Sequence, residues 1–292
     1  RCTFGSIFPP PMSSKPVAIA ALCGTLFGRA CGQQHAMRPQ LRPISPRNLM
    51  EFEWKGHTVT RGLLSPTDFR AVASPLRELA EAEEAAAAAR KAEAMRPGDT
   101  SGGPLPFVQV FNPHKKHAAT RRLALAPALL ATAAALLGVA SVRLYQDSLF
   151  WKRPGHGETS WHADLWTVPI ATNHFVSVWL PLHRVDAGTS PLFYLPQMQE
   201  ETGPGADPKI LPAPGVTGEH HAPLEEGDAT WHHGWTIHGA PPLAEDAPSR
   251  LAYTAAYYSD EVPVTGEALD ALASRRRGHS SIEVESASAP NR

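Results

Sequence analysis

The sequence predicts an α+β chain in which helical segments precede an antiparallel β-barrel or sandwich. Two observations carry that expectation. From Val142 onward, runs rich in aromatic and β-branched residues recur between Gly and Pro: VRLYQDSLFW, TSWHADLW, HFVSVWLPLH, PLFYLP, DATWHHGWTIHG and RLAYTAAYYS. Upstream of them lie two stretches of helical character, one opening at Ser65 and one running from Leu123 to Val142. At 292 residues the chain suits one large domain with tails.

Taken in order, residues 1–50 hold no Asp or Glu and six Lys or Arg, and KPVAIAALCGTLFG is a short apolar run behind a basic residue. That composition resembles a targeting segment, so the stretch is expected to be a leader outside the fold, compatible with cytoplasmic or organellar residence. FEWKGHTVTRGLLSPTDF reads as a short strand entering a helix. Ser65 suits the cap, Pro66 the first helical position and Asp68 the positive end of the dipole. The helix is expected to continue past Pro75 through ELAEAEEAAAAARKAEAM and to end at RPGDTSGGPLP.

The uncharged run between Arg122 and Arg143 is long enough to cross a bilayer, and a membrane anchor is one reading of it. Eight of its twenty residues are alanine, however, and Pro127 and Gly138 interrupt it. The expectation is a buried helix ending near Gly138, with no stable membrane insertion. The helical part then covers 63–140, the β-core 142–260 and the whole domain 51–265, with 266–292 a mobile tail.

A net charge of -1 gives no electrostatic footprint for nucleic acid or an anionic membrane. Cys2, Cys23 and Cys31 all lie near the N-terminus, so a metal held by the main domain must use imidazole and carboxylate ligands. Candidates for both exist. In a strand TSWHADLW, His162 and Asp164 point to one face and Trp161, Ala163 and Leu165 to the other. DATWHHGWTIHG offers His232, His233 and His238 as a third ligand. Two histidines and one carboxylate on one face of an ion leave three positions open, which suits a non-haem Fe(II) oxygenase; zinc also accepts such a set. In RLAYTAAYY, Arg250 shares a face with Ala252 and Thr254. Directed into a barrel, its planar fork would bind a carboxylate; on an edge strand it would sit in solvent.

Together, YQDSLFWKRPGHGETSWHADLW, VSVWLPLHRVDAGTSPLFYLP and GDATWHHGWTIHGAPP followed by SRLAYTAAYY resemble the phytanoyl-CoA dioxygenase family of Fe(II)/2-oxoglutarate-dependent oxygenases. The resemblance covers Ala119 to Asp260, with an echo in FEWKGHTVTRGLLSP. It implies a double-stranded β-helix (a jelly-roll, cupin-like barrel) with flanking N-terminal helices. It implies Fe(II), 2-oxoglutarate and O2 as cofactor and cosubstrates, and His162, Asp164 and His238 as the iron ligands. His238 is chosen because HGAPP matches the family segment and sets the distance to Arg250, which would hold the distal carboxylate of 2-oxoglutarate. Trp179, Leu149 and Ala240 fall where the family lines the cosubstrate.

The implied reaction hydroxylates an unactivated C–H bond of a small molecule, such as an acyl-thioester or amino-acid derivative, and releases succinate and CO2. Gln146, Lys152, His156 and Trp166 lie beside the expected metal as candidate substrate contacts. Specificity is expected in the N-terminal and QMQEETGPGADPKILPAPGVTGEHH loops. Two departures stand out: Ala240 replaces a serine frequent in the family, and QMQE follows Pro196 where relatives continue Gly-Ser-His. A competing reading is a non-catalytic jelly-roll protein binding a metal or small molecule, which would have no use for Arg250. Oligomeric state has no signature in the sequence.

Overall fold

Ser45 and Ser65 open the first two helices by the same device. Ser45 Oγ accepts from the Asn48 amide at 3.2 Å ahead of α1 (Pro46–Lys55), and Ser65 Oγ accepts from the Asp68 amide at 3.1 Å ahead of α2 (Pro66–Ala94). Each hydroxyl satisfies an orphan amide, and the following proline has none to lose. The structure, a computed structural model, describes residues 44–94, 107–168, 170, 172–195, 216 and 218–261. The chain divides between Ala36 and Met37 into two units, and every described residue belongs to the second. The leader through residue 43, the tail 266–292 and most of the 197–221 loop, including the QMQE departure, lie outside the described residues.

Two expectations change here. The helix α1 begins inside the stretch read as leader, and Phe52 to Lys55, read as strand, are its last turn. Gly56, at φ 74, stops it, and only then does β1 (His57–Thr60) begin. Downstream, the apolar run is long and apolar enough to cross a membrane when Ala118–Leu137 is taken as one piece. It is broken at Ala126, whose ψ of 129 is extended, into α3 (Ala118–Ala124) and α4 (Pro127–Leu137). Eleven residues span about 16 Å, roughly half a hydrocarbon layer. The α4 helix buries Ala128, Leu129, Ala133 and Leu136, and Gly138 at φ 65 ends it where the sequence indicates.

Two antiparallel sheets follow. The large one runs in the order β1, β8 (Ala229–His233), β5 (Phe175–Pro181), β10 (Arg250–Ser259), β3 (Val142–Lys152) and β2 (Val108–Phe111). The small one runs β4 (Thr159–His162), β9 (His238–Ala240), β6 (Phe193–Tyr194) and β7 (Glu219–His220). This is the jelly-roll expected from the resemblance. DATWHHGWTIHG supplies two strands, one per sheet, where the sequence suggested one; β2 and β7 carried no sequence signal.

Alternation gives the large sheet two buried faces. Leu149, Trp151, Val178, Trp231, Leu251 and Tyr253 point outward and pack with Phe69, Leu76, Leu123 and Leu129 of the helices. Trp179 and Ala252 point inward and meet Tyr194 and Ala240 of the small sheet, with Val185 and Leu224. The second layer, between the sheets, is where the polar chemistry collects.

Candidate metal and cosubstrate site

The β4 strand stops at His162, and Asp164 begins a 3-10 turn, Asp164–Trp166. The strand expected through Leu165 is therefore shorter than the sequence suggested, because the Leu165 amide donates to Gly234 O at 3.0 Å and curls the chain. Ala163 between them keeps φ -115 and ψ 137, which is extended, so His162 and Asp164 still share a side. In register, His162 faces His238 across β4 and β9. The approach is close: a Cβ on Gly239 would lie 2.8 Å from Thr159 O, so no side chain fits there.

The ligand atoms of His162, Asp164 and His238 all lie within 4.8 Å of one another. Asp164 Oδ1 stands 3.9 Å from His162 Nε2 and 3.8 Å from His238 Nε2. Each imidazole is oriented from behind, since His162 Nδ1 donates to Ser160 O at 2.8 Å and His238 Nδ1 to Thr236 O at 3.0 Å. Both Nε2 lone pairs are thereby left facing the carboxylate. The other carboxylate oxygen is occupied: Ser177 Oγ donates to Asp164 Oδ2 at 2.6 Å and His232 Nε2 donates at 3.2 Å. Burial alone would raise the Asp164 pKa, but the His232 hydrogen bond and the surrounding imidazoles hold it well below the usual carboxylate range. Burial, then the neighbouring His232 and His162, push His238 well down. An ionised carboxylate beside a neutral imidazole is the protonation state a divalent metal requires.

Arg250 faces inward, 2% exposed, which excludes the solvent-edge reading. Its guanidinium carbon lies 5.4 Å from the Trp179 ring centroid, and its Nε has no partner. Ser177 and Trp179 are successive inward residues of β5, about 7 Å apart along the strand. The space between the sheets thus runs from the Asp164 carboxylate, past Trp179, to Arg250. Ala240 belongs to the same cluster as Trp179 and Ala252.

Leu149 does not join this group. It is 1% exposed on the outer face, opposite Tyr253, within the helix-facing core, so it cannot line the cosubstrate space. Gln146 faces inward and its amide donates to Ser148 Oγ at 3.2 Å. Trp166 packs beside Leu165, Phe175 and Trp235, with its Nε1 buried and unpartnered. Lys152 is fully buried opposite Arg250. His156 braces the loop after β3, its Nδ1 accepting from the Arg153 amide at 3.1 Å and its carbonyl from the Leu243 amide at 2.9 Å.

Ser177, Tyr194 and His57 were not singled out from sequence as parts of this site, and His232 was weighed there only as an alternative third metal ligand. Two had a readable signal: Ser177 shares parity with Trp179, and His232 with Thr230, so each is a polar residue on the inward face. Tyr194 had none; its hydroxyl meets Thr230 Oγ1 at 2.7 Å, and its ring lies 5.6 Å from that of His232 and stacks on His57 at 4.6 Å. His57 Nδ1 lies 2.9 Å from His221 Nε2, and burial first, then His221, pushes the His57 pKa down to about 3. Of the adjacent pair, His233 turns away from the metal cluster, its Nε2 donating to Asn173 O at 2.6 Å.

Comparison with known proteins agrees with this geometry. The model of the phytanoyl-CoA dioxygenase family matches residues 52–251. Among solved structures, the non-heme alpha ketoglutarate dependent carbocyclase SnoK from nogalamycin biosynthesis is similar with a TM-score of 0.60 and 21% identity, over 74% of this chain and 84% of its own. EctD from S. alaskensis with bound Fe is similar with a TM-score of 0.55 and 20% identity, over 77% of this chain and 80% of its own. HygX from Streptomyces hygroscopicus, with nickel and 2-oxoglutarate bound, has a TM-score of 0.52 and 15% identity, over 75% of this chain and 89% of its own. At these identities the structural likeness establishes the fold. No curated protein sequence matches the chain.

Proposed function

Because the chain belongs to the phytanoyl-CoA dioxygenase family, and is thus a 2-oxoglutarate-dependent non-haem iron oxygenase, we propose that it hydroxylates an unactivated C–H bond of a small molecule, with His162, Asp164 and His238 holding iron. Arg250 is the anchor for the distal carboxylate of 2-oxoglutarate in this reading, with Trp179 and Ala240 lining its chain. When bound, Fe(II) would activate O2, which is the oxidant, and 2-oxoglutarate would supply two of its electrons; one oxygen atom ends in succinate, released with CO2, and the other in the hydroxyl of the product.

The observation that carries the reading is a buried arginine with an unpartnered Nε, on the large sheet and facing the space between the sheets where the small sheet presents the His–Asp–His cluster. A zinc site could use the cluster but has no need of the arginine. The donor set fits Fe(II), and the Arg250 fork fits a carboxylate. The chain's own contribution is placement. Ser177 and His232 hold Oδ2, so Asp164 presents Oδ1 alone to the ion. The Ser160 and Thr236 carbonyls fix the imidazole tautomers. Trp179, Tyr194 and Ala252 keep water out of the space between the sheets. No side chain is asked to move a proton. Gln146 and Trp166, at the opposite end of the inward face from Arg250, are the substrate-side residues of this proposal.

Anaerobic addition of Fe(II) and 2-oxoglutarate should produce the weak visible charge-transfer band of the chelate. A folded wild-type protein without that band would sink the reading. Arg250→Ala and His162→Ala should each weaken it, the first restored by excess cosubstrate and the second by excess metal. Substrate-dependent release of succinate from a metabolite library then identifies the molecule that is oxidised.

A further inference from the structure

Arg250 and Lys152 stand directly opposite each other where β10 pairs with β3, on the face of the large sheet that looks between the sheets. Arg250 is 2% exposed and Lys152 is 0% exposed. Antiparallel partners hold their Cβ atoms about 5 Å apart, and like charges so placed repel. Neither cation meets a carboxylate among the described residues. Lys152 Nζ donates to Pro241 O at 2.8 Å, Ser190 Oγ at 3.3 Å and Ala240 O at 3.4 Å, all neutral, while Arg250 rests over Trp179 with Nε unpartnered. Buried charges of one sign side by side are unfavourable until an anion joins them.

We propose that Lys152 is the second cation of the cosubstrate pocket, so that the distal carboxylate of 2-oxoglutarate is held between the Arg250 fork and the Lys152 ammonium. This deepens the proposed function and rests on its assignment of Arg250. A neutral amide at position 152 could make similar bonds to Pro241, Ala240 and Ser190 without opposing Arg250, so bracing the loop does not by itself explain a charged residue there. An anion does. Burial, with the Arg250 charge added, pushes the Lys152 pKa down to about 7, and the Glu158 carboxylate offsets this only in part. The bond to Ala240 also ties this pocket to β9, two residues beyond His238, so the anion pocket and one metal ligand share a strand.

The test compares two ligands on Mn(II)-loaded protein by calorimetry and tryptophan quenching. 2-Oxoglutarate and 2-oxopentanoate have the same five-carbon 2-oxoacid frame and chelating end, and only the first has a distal carboxylate. Wild type should prefer 2-oxoglutarate. Lys152→Gln, which keeps donors for the loop, should lose about tenfold of that preference while binding 2-oxopentanoate as wild type does. Lys152→Met serves if the first variant folds poorly, and Mn(II) affinity should be unchanged in both. If Lys152→Gln keeps the wild-type preference, or weakens both ligands equally, Lys152 only braces the loop and the proposal is overturned. If wild type itself shows no preference, the reading of Arg250 falls and takes this inference with it, a result distinct from any defect confined to Lys152.

Discussion

The large sheet has two buried faces made by the same strands, and they differ in balance: the outward one is mainly apolar, with Asp147 partnered by Tyr253 and His114, and the inward one is rich in polar groups. Outward lie Leu149, Trp151, Trp231, Leu251 and Tyr253 against the helices; inward lie Lys152, Ser177, His232 and Arg250 beside Trp179 and Ala252. Burying the first set is favourable, at about 25 cal/mol per Å² of apolar surface. Burying the second costs free energy unless each polar atom is partnered. Low exposure therefore means different things on the two faces. Outside it marks what holds the fold together; inside it marks polar groups held out of water.

Trp231 and His232 are chain neighbours that point to opposite faces, so they test this contrast directly. Trp231→Ala should lower unfolding free energy by about 3–5 kcal/mol in denaturant titrations, as truncation of a buried aromatic does. Metal affinity of the folded fraction should stay within threefold of wild type. His232→Ala removes a donor to Asp164 Oδ2 and should weaken Mn(II) or Fe(II) binding by about 10–100-fold, with the smaller stability loss of the two. Equal stability losses with equal metal affinities would abolish the distinction between the faces.

Ser177→Ala sharpens it with a smaller perturbation. The hydroxyl donates to Asp164 at 2.6 Å, and its loss frees the carboxylate to rotate while leaving almost no cavity. Metal affinity should fall about tenfold, at the mild end of such outer ligand effects. Thermal midpoints of the metal-free protein should barely move. A large drop in that midpoint, with metal binding intact, would make Ser177 a packing residue.

The contrast also explains how much was legible in the sequence. Alternation alone placed Arg250 with Ala252 on one face of β10 and Tyr253 on the other, and β10 spans the ten residues of RLAYTAAYYS. The same rule separates Leu149 from Gln146 and Lys152, so its assignment to the cosubstrate space failed against a signal that was present. The α1 helix was hidden for a different reason. Its apolar side toward the core is only the pair Leu49 and Phe52, while Trp54 is 70% exposed, so the stripe is short and easily missed beside the Ser45–Pro46 cap. DATWHHGWTIHG splits at Gly234, where a Cβ would come within 2.6 Å of Leu165; that close packing is long-range and invisible locally. Tyr194 belongs to the site only because strands of two sheets converge on it.

Acid should act on the inward face through His57. This ring is 0% exposed, and its pKa is lowered from 6.5 to about 3, chiefly by burial and then by His221. A base whose folded pKa is depressed binds its proton more readily in the unfolded chain. Stability contributed by neutral His57 is therefore complete above pH 6.5 and is lost progressively as pH falls toward about 3. The slope from one such group approaches about 1.4 kcal/mol per pH unit. In metal-free protein, unfolding midpoints measured between pH 6.5 and 4 should fall, and His57→Gln should flatten that fall. Trp231→Ala should instead lower the whole curve and leave its slope alone, because an indole takes up no proton in this range. If both variants shift the curve in parallel, the buried imidazole contributes packing alone and the chemical difference between the faces stops at β8.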